Sequence, residues 1–188
     1  MMTSMKPVTG RDIAALLNPR LAVLVTCCDT NGQPNVLTVA WHTPLSHQPP
    51  LVGISVGQTR YSNHLIQSQG EFVINIMDAA HQNAVEICGT WSGGSDDKLA
   101  IVGLQTRPAM CVCPPVLTEA LGVLECRVVQ QIKTGDHTFF IGEILQASAC
   151  AANFSDAWEN HSEHAVLQCL QRKRYGTFVE INENGQRQ

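Results

Sequence analysis

Asn35-Val-Leu-Thr-Val-Ala-Trp-His-Thr-Pro44, followed after a short polar stretch by Pro50-Leu-Val-Gly-Ile-Ser-Val-Gly57-Gln-Thr-Arg60-Tyr-Ser62-Asn-His-Leu65, decides how this chain folds. Asn35 to Thr43 and Leu51 to Gly57 read as two strands around a Pro-bearing loop. Side chains alternate across a strand. In the first, Val36, Thr38, Ala40 and His42 face one way, and Leu37, Val39 and Trp41 the other. In the second, Gly53, Ser55 and Gly57 oppose Val52, Ile54 and Val56. Thr38, Ala40, Gly53, Ser55 and Gly57 would form a shallow floor if the strands met with their small faces together. A glycine inside a strand suits close approach to the backbone. A flat ligand would meet that description, and so would a tightly packed helix or second sheet.

The second strand runs into Thr59-Arg60-Tyr61-Ser62, where a helix is predicted to begin. Unpaired first-turn N–H groups, two hydroxyls and a guanidinium fork make an anion site. Ordinary N-capping by Thr59 or Ser62 is the other use of the same residues. Lys98 follows the loop Ser92-Gly-Gly-Ser-Asp-Asp97 and stands as a second cation or as a surface lysine.

Outward from this stretch, Gly10 to Leu17 reads as a short helix stopped by Asn18-Pro19. The apolar run Arg20 to Cys28 reads as a strand buried on both faces. Asn31-Gly32 turns it into the Asn35 strand. Tyr61 to Ser68 is a predicted helix, Glu71 to Met77 a strand, and Ala80 to Cys88 a helix closed by Gly89. Short strands are expected at Ala109 to Cys113 and Val116 to Leu121. Gly122 to Ile132 and His137 to Ala149 form a long hairpin turned at Lys133-Thr-Gly-Asp136. The tail suggests a helix near Glu163 to Leu170 and a last strand at Thr177 to Ile181. The strands show no β-α-β-α alternation, so an antiparallel barrel with added helices is expected, rather than a doubly wound sheet.

The chain has 188 residues, enough for one domain with a sizeable core. Its net charge of −4 offers no general attraction to nucleic acid or acidic lipid. No apolar run is long enough to span a membrane, and the first residues lack an apolar signal core, so a cytoplasmic location is expected. Eight cysteines invite a metal or disulfide reading. Cys111-Val-Cys113 has no CxxC partner and no nearby His pair, so no metal is expected; buried or half-buried free thiols are. His161 and His164 stand in no metal-binding motif. His42 and His64 read as structural.

The order Asn35, Thr38, Trp41, Pro44, Ser46, Pro49-Pro50, then Arg60-Tyr61-Ser62 and Glu71-Phe72 with Asn75, resembles the flavin reductase-like, FMN-binding split-barrel family, and its flavoredoxin-type members most. Leu124-Glu125-Cys126, Gly135-Asp136-His137 and Gly142-Glu143 match that family's later half. The resemblance covers about residues 10 to 150. It implies a mainly β fold with helices, an antiparallel Greek-key split β-barrel spanning 1–150, and a homodimer with flavin near the subunit interface. Residues 151–188 would be a C-terminal extension packed on the barrel or on the partner subunit.

By resemblance, Thr38, Val39, Ala40, Trp41, Ser55, Val56 and Gly57 would line the flavin, through backbone and side chain. Trp41, Arg60, Ser62 and Lys98, with Tyr61 beside them, would serve the phosphate end. His137 would stand near the reactive face, as a catalytic residue; its other reading is a turn residue in solvent. The cofactor implied is FMN, with FAD the alternative and NAD(P)H a transient substrate. Leu99 departs from the pattern, where an aromatic often follows the lysine. The implied activity is hydride transfer from NAD(P)H to flavin, supplying a monooxygenase or another electron acceptor. An FMN-bound electron carrier reduced by another protein is the alternative. A non-catalytic barrel using the pocket for another ligand is the third reading.

Overall fold

The computed structural model describes residues 5–159, 164–171 and 173–179. The predicted first helix is a 3-10 helix, Gly10–Leu17. Strands follow at β1 (Arg20–Leu21), β2 (Val23–Cys28), β3 (Pro34–Val39), β4 (His42–His47) and β5 (Pro50–Gly57). Helix α1 (Tyr61–Gln69) leads to β6 (Glu71–Met77), α2 (Gln82–Thr90) and the short α3 (Lys98–Val102). Then come β7 (Thr106–Arg107), β8 (Val116–Leu117), the long hairpin β9 (Ala120–Thr134) and β10 (His137–Ala149), β11 (Gln168–Gln171) and β12 (Arg174–Gly176).

Seven strands make one antiparallel sheet in the order β3-β2-β6-β9-β10-β5-β4. Its two edges, β3 and β4, are consecutive in the chain. Only Ala40 and Trp41 separate them, so three peptide steps of at most about 11 Å must join the edges. The sheet therefore curls until its edges nearly meet without pairing. This is the expected antiparallel split barrel, in the expected fold class.

The curl explains the burial pattern. Val23, Val25 and Cys27 of β2, Leu37 and Val39 of β3, Val52, Ile54 and Val56 of β5, and Phe72 and Ile74 of β6 share one interior cluster, joined by Leu65 and Ile66 of α1. Ala22, Leu24 and Val36 point the other way, into a second cluster with Ala84, Val85 and Cys88 of α2. The uninterrupted apolar text of Arg20 to Cys28 reflects this covering of both faces.

Several expectations are corrected. The strand predicted to reach Thr43 stops at Val39, and the Pro-bearing loop is itself strand β4. As an edge strand it tolerates Pro44, with a bulge between Pro44 and Ser46. The two small-faced strands do not pair: β3 and β5 stand apart in the sheet. Gly53 is filled from within the chain, because a Cβ there would lie 2.1 Å from the Phe139 ring. Gly89 does not close α2 but lies inside it.

Residues 109–113 form no strand; the buried Glu125 carboxylate accepts from the Met110 and Cys111 N–H groups instead. Val116 to Leu121 is not one strand either, since β8 ends at Leu117 and β9 starts at Ala120. In the tail, β11 stands where a helix was predicted, although Glu163 lies outside the described residues. The backbone polar groups of β1 need partners, and β11 supplies them at Arg20↔Cys169 and Leu21↔Gln168. Residues 177–179 carry no regular structure, the last strand being β12, and Ile181 lies outside the described residues. All eight cysteines are free, but Cys111, Cys113 and Cys150 are exposed rather than buried.

Gly53→Val should force the Phe139 ring out of its seat and destabilise the chain by about 1–3 kcal/mol. A urea titration would show this as a lowered midpoint; an unchanged midpoint would mean the ring moves freely.

Candidate functional site

A cavity of about 250 Å³ lies where β3, the start of α1, the end of α2 and the Trp91 to Lys98 loop converge. Its walls include Thr38, Thr59, Arg60, Tyr61, Ser62 and Lys98, which the sequence singled out. Gly70 in the left-handed conformation ends α1, but no side chain caps its start. Neither Thr59 nor Ser62 performs the capping role weighed above. The first turn of α1 thus opens on the cavity with its positive end uncapped by any side chain.

Lys98 is the chemically telling wall residue. It is only 4% exposed, yet its Nζ has a single hydrogen bond, 3.4 Å to the Cys88 carbonyl. Among the described residues no carboxylate pairs with it, and none pairs with Arg60. The titratable side chains that act on it are the Arg60 guanidinium, a like charge, and two thiols, Cys88 and Cys27. Burial pushes each thiol up to about 11, so both are neutral near pH 7 and supply no counter-charge. Burial in turn holds the Lys98 ammonium below its usual value. A buried cation without a partner is unfavourable unless an anion joins it.

A buried polar network supports this end. Asn35 Nδ2 donates to Ser62 Oγ at 2.6 Å, and both side chains are buried. Gly93 makes the arrangement possible, since a Cβ there would fall 1.8 Å from Asn35 Oδ1 and 3.2 Å from Lys98 Cε. Gly89 lets α2 approach β3, with Thr38 Cβ 3.2 Å from where its own Cβ would stand. Thr38 Oγ1 donates to the Val85 carbonyl and ties the two elements together.

A wider pocket of about 790 Å³ shares Thr59 and Arg60 with the first. It is lined by Ile13, Ala14 and Leu17 of the first helix, and by Trp41, Gly57 and His137. The Trp41 and His137 rings stack, with centroids 5.0 Å apart and planes 28° from parallel. His137 Nδ1 lies 2.7 Å from the Asp136 carboxylate, which makes that nitrogen the donor and leaves Nε2 free. Gly57 and His137 are cross-strand partners, and a Cβ on Gly57 would lie 3.8 Å from Nε2. His137 is therefore held in place, not loose in a turn.

The predicted residues thus divide. Arg60, Tyr61, Ser62, Thr38 and Lys98 meet at the smaller cavity; Gly57, His137 and Trp41 meet at the wider one. Trp41 lines the wider pocket with Arg60 and His137, and is not among the residues around the Lys98 cavity. The Val39 and Val56 side chains are in the core, so only their backbones can face a ligand. Ser55 lines a neighbouring apolar recess with Trp41 and Phe139, and its N–H donates to the Trp41 carbonyl at 2.8 Å. Ala40 lines neither pocket. His42 is structural, bonded to the Leu21 carbonyl. Sequence reading assigned no site role to Asn35 or Gly93 and read Gly89 only as a helix stop. Gly89 lies inside α2, and a glycine within a helix is a signal for close approach.

The family model described as "Flavin reductase like domain" matches residues 17–166. A protein of Archaeoglobus fulgidus is 40% identical over 116 residues, which is 62% of this chain and 66% of that one. The reductase component of the 4-nitrophenol 4-monooxygenase/4-nitrocatechol 2-monooxygenase of Rhodococcus opacus is 29% identical, over 77% of this chain and 74% of its own length. The solved flavoredoxin of Desulfovibrio vulgaris (Miyazaki F) superposes with a TM-score of 0.78 at 26% identity, over 97% of this chain and 96% of that one.

Lys98→Met should stabilise the ligand-free chain at neutral pH by about 1 kcal/mol or more. The unfolded lysine keeps its proton up to its usual 10.5, and the folded one releases it earlier. Stability of the parent therefore rises between those two values, and its deficit against the variant should shrink there. Urea midpoints of both proteins across alkaline pH would test this; a constant gap would mean that burial does not perturb Lys98.

Proposed function

The chain belongs to the flavin reductase-like domain family, and on that premise we propose that it is an NAD(P)H-dependent oxidoreductase using FMN. The observation that carries the reading is the buried, carboxylate-free Lys98 beside Ser62 and Arg60, next to a wide pocket floored by Gly57 and His137. A phosphate monoester fits the first and a flat ring system the second. When bound, the flavin supplies the redox chemistry, taking hydride from a nicotinamide and passing electrons on.

The residues would divide the work as their geometry divides them. Lys98, Arg60, the Ser62 hydroxyl and the start of α1 would hold the phosphate. Asn35 donates to Ser62 Oγ, so the hydroxyl proton is left for another acceptor. Trp41 and the small Gly57 would border the ring system, with backbone donors of β5 beside it. Asp136 fixes the imidazole of His137, and Nε2 would help place the nicotinamide or supply a proton. FMN is favoured over FAD because the cations and hydroxyls gather at one small cavity.

The reading extends to assembly. Ile13, Leu16 and Leu17 are exposed along the first helix, and Ile13 and Leu17 line the wide pocket. A second copy would cover them as a homodimer, which mass in solution would report. Residues 1–150 would form the flavin domain, with the tail from 151 as an extension packed on it. A monooxygenase is the favoured electron acceptor, by analogy with the Rhodococcus opacus relative.

Ser62→Ala with Lys98→Ala should weaken FMN about tenfold or more while leaving riboflavin binding nearly unchanged, because the lost donors face phosphate. Flavin fluorescence titrations measure both; equal weakening would remove the phosphate assignment. Anaerobic mixing with NADH and with NADPH should bleach bound flavin at turnover-like rates, and His137→Ala should slow that step while flavin is retained. No bleaching by either nicotinamide would instead support the carrier reading, and an unchanged rate in the variant would make His137 peripheral.

A further inference from the structure

We propose that Cys28 and Cys113 form a dithiol site that a hydroperoxide oxidises to an intramolecular disulfide. The pair lies outside both pockets described above. Cys28 ends β2 and is fully buried, whereas Cys113 is exposed. Their sulfur atoms are 3.1 Å apart. A disulfide needs about 2.05 Å, so closing it takes a shift of about 1 Å.

The surrounding structure holds the two sulfurs together. Cys113 sits on an irregular segment that is pinned at three points. Its own N–H donates to Glu71 Oε2 at 2.8 Å. The Glu125 carboxylate accepts from Met110 and Cys111 at 2.9 and 2.6 Å. Thr26 Oγ1 donates to the Pro115 carbonyl at 2.5 Å. Thr26 is two residues from Cys28 on the same strand, so the segment is fastened beside the buried thiol. The remaining cysteines lack such a partner. Cys27, next in the chain, points to the opposite face and meets Asn35.

The pair also has a built-in order of reaction. Burial pushes the Cys28 thiol up to about 12, with the neighbouring Cys113 and Glu71 acting in the same direction. The thiolate is the nucleophile, so the exposed Cys113 is the sulfur that meets oxidant first. Its sulfur attacks the peroxide oxygen: the S–O bond forms, the O–O bond breaks, and the thiol proton leaves with the departing oxygen as water. Cys28 sulfur then attacks the Cys113 sulfur. The S–S bond forms and the S–O bond breaks, and the hydroxyl departs with the Cys28 proton as a second water. Two thiols and one hydrogen peroxide give one disulfide and two waters, two electrons passing from sulfur to peroxide. A dithiol reductant reverses the change.

The test does not depend on flavin binding, because peroxide is added directly. The purified full chain is treated with one equivalent of hydrogen peroxide, alkylated and digested, and its peptides are weighed. The expected result is a peptide pair linking Cys28 to Cys113, two hydrogen atoms lighter than its reduced halves and separated by dithiothreitol. Cys28→Ser should stop the reaction at a Cys113 sulfenic acid that dimedone traps. Cys113→Ser should leave Cys28 reduced. The proposal is overturned if the parent chain carries Cys113 to sulfinic acid without the link, or links Cys113 to Cys111 or Cys150 instead. The parent measurement decides the matter even if either variant folds poorly.

Discussion

The constraint beneath this structure is a length of chain. Val39 leaves one edge of the seven-stranded sheet and His42 enters the other, with Ala40 and Trp41 between them. A gap of about 11 Å is the most those residues can span. The sheet must curl to satisfy it, and the seam falls beside Trp41. On one side of the seam β3 meets α1 and α2 around Lys98. On the other, β5 and β10 bring Gly57 against His137. The site is therefore a by-product of closing the barrel, not a loop grafted onto it.

Electrostatics gives this geometry its chemical character. Lys98 is folded into a place where a carbonyl, two neutral thiols and the like-charged Arg60 offer its ammonium group no counter-charge. A chain selected for stability alone would not bury such a charge. The glycines at 89 and 93 point the same way. Each gives up side-chain packing so that Thr38, Asn35 and Lys98 can draw close. Gly53, on the strand face that also carries Gly57, does something different, since it seats the Phe139 ring. Identical residues on one strand thus serve packing at one end and the pocket at the other.

Local patterns made much of the fold legible. The apolar text of Arg20 to Cys28 and the Asn31-Gly32 turn specify the first hairpin. Gly70 ends α1, and Gly135-Asp136 turns the long hairpin. Each of these is written in residues within a few positions of the structure they determine. Where the competing influence is distant, the text misleads. Pro44 suggests a loop, but an edge strand needs no N–H on its outer side. The tail suggests a helix, but the unpaired backbone of β1 draws β11 into a sheet.

The same division holds at the candidate site. Sequence alone determined which residue types were available: a guanidinium and hydroxyls at a helix start, a lysine after a glycine-rich loop, and a histidine after a Gly-Asp turn. Only the tertiary structure decided their grouping. It stacked Trp41 on His137, turned Val39 and Val56 into the core, and joined Asn35 to Ser62. The reason is physical. Residue chemistry is local, but burial and contact are set by strand order, and strand order depends on how two distant edges of one sheet are brought together.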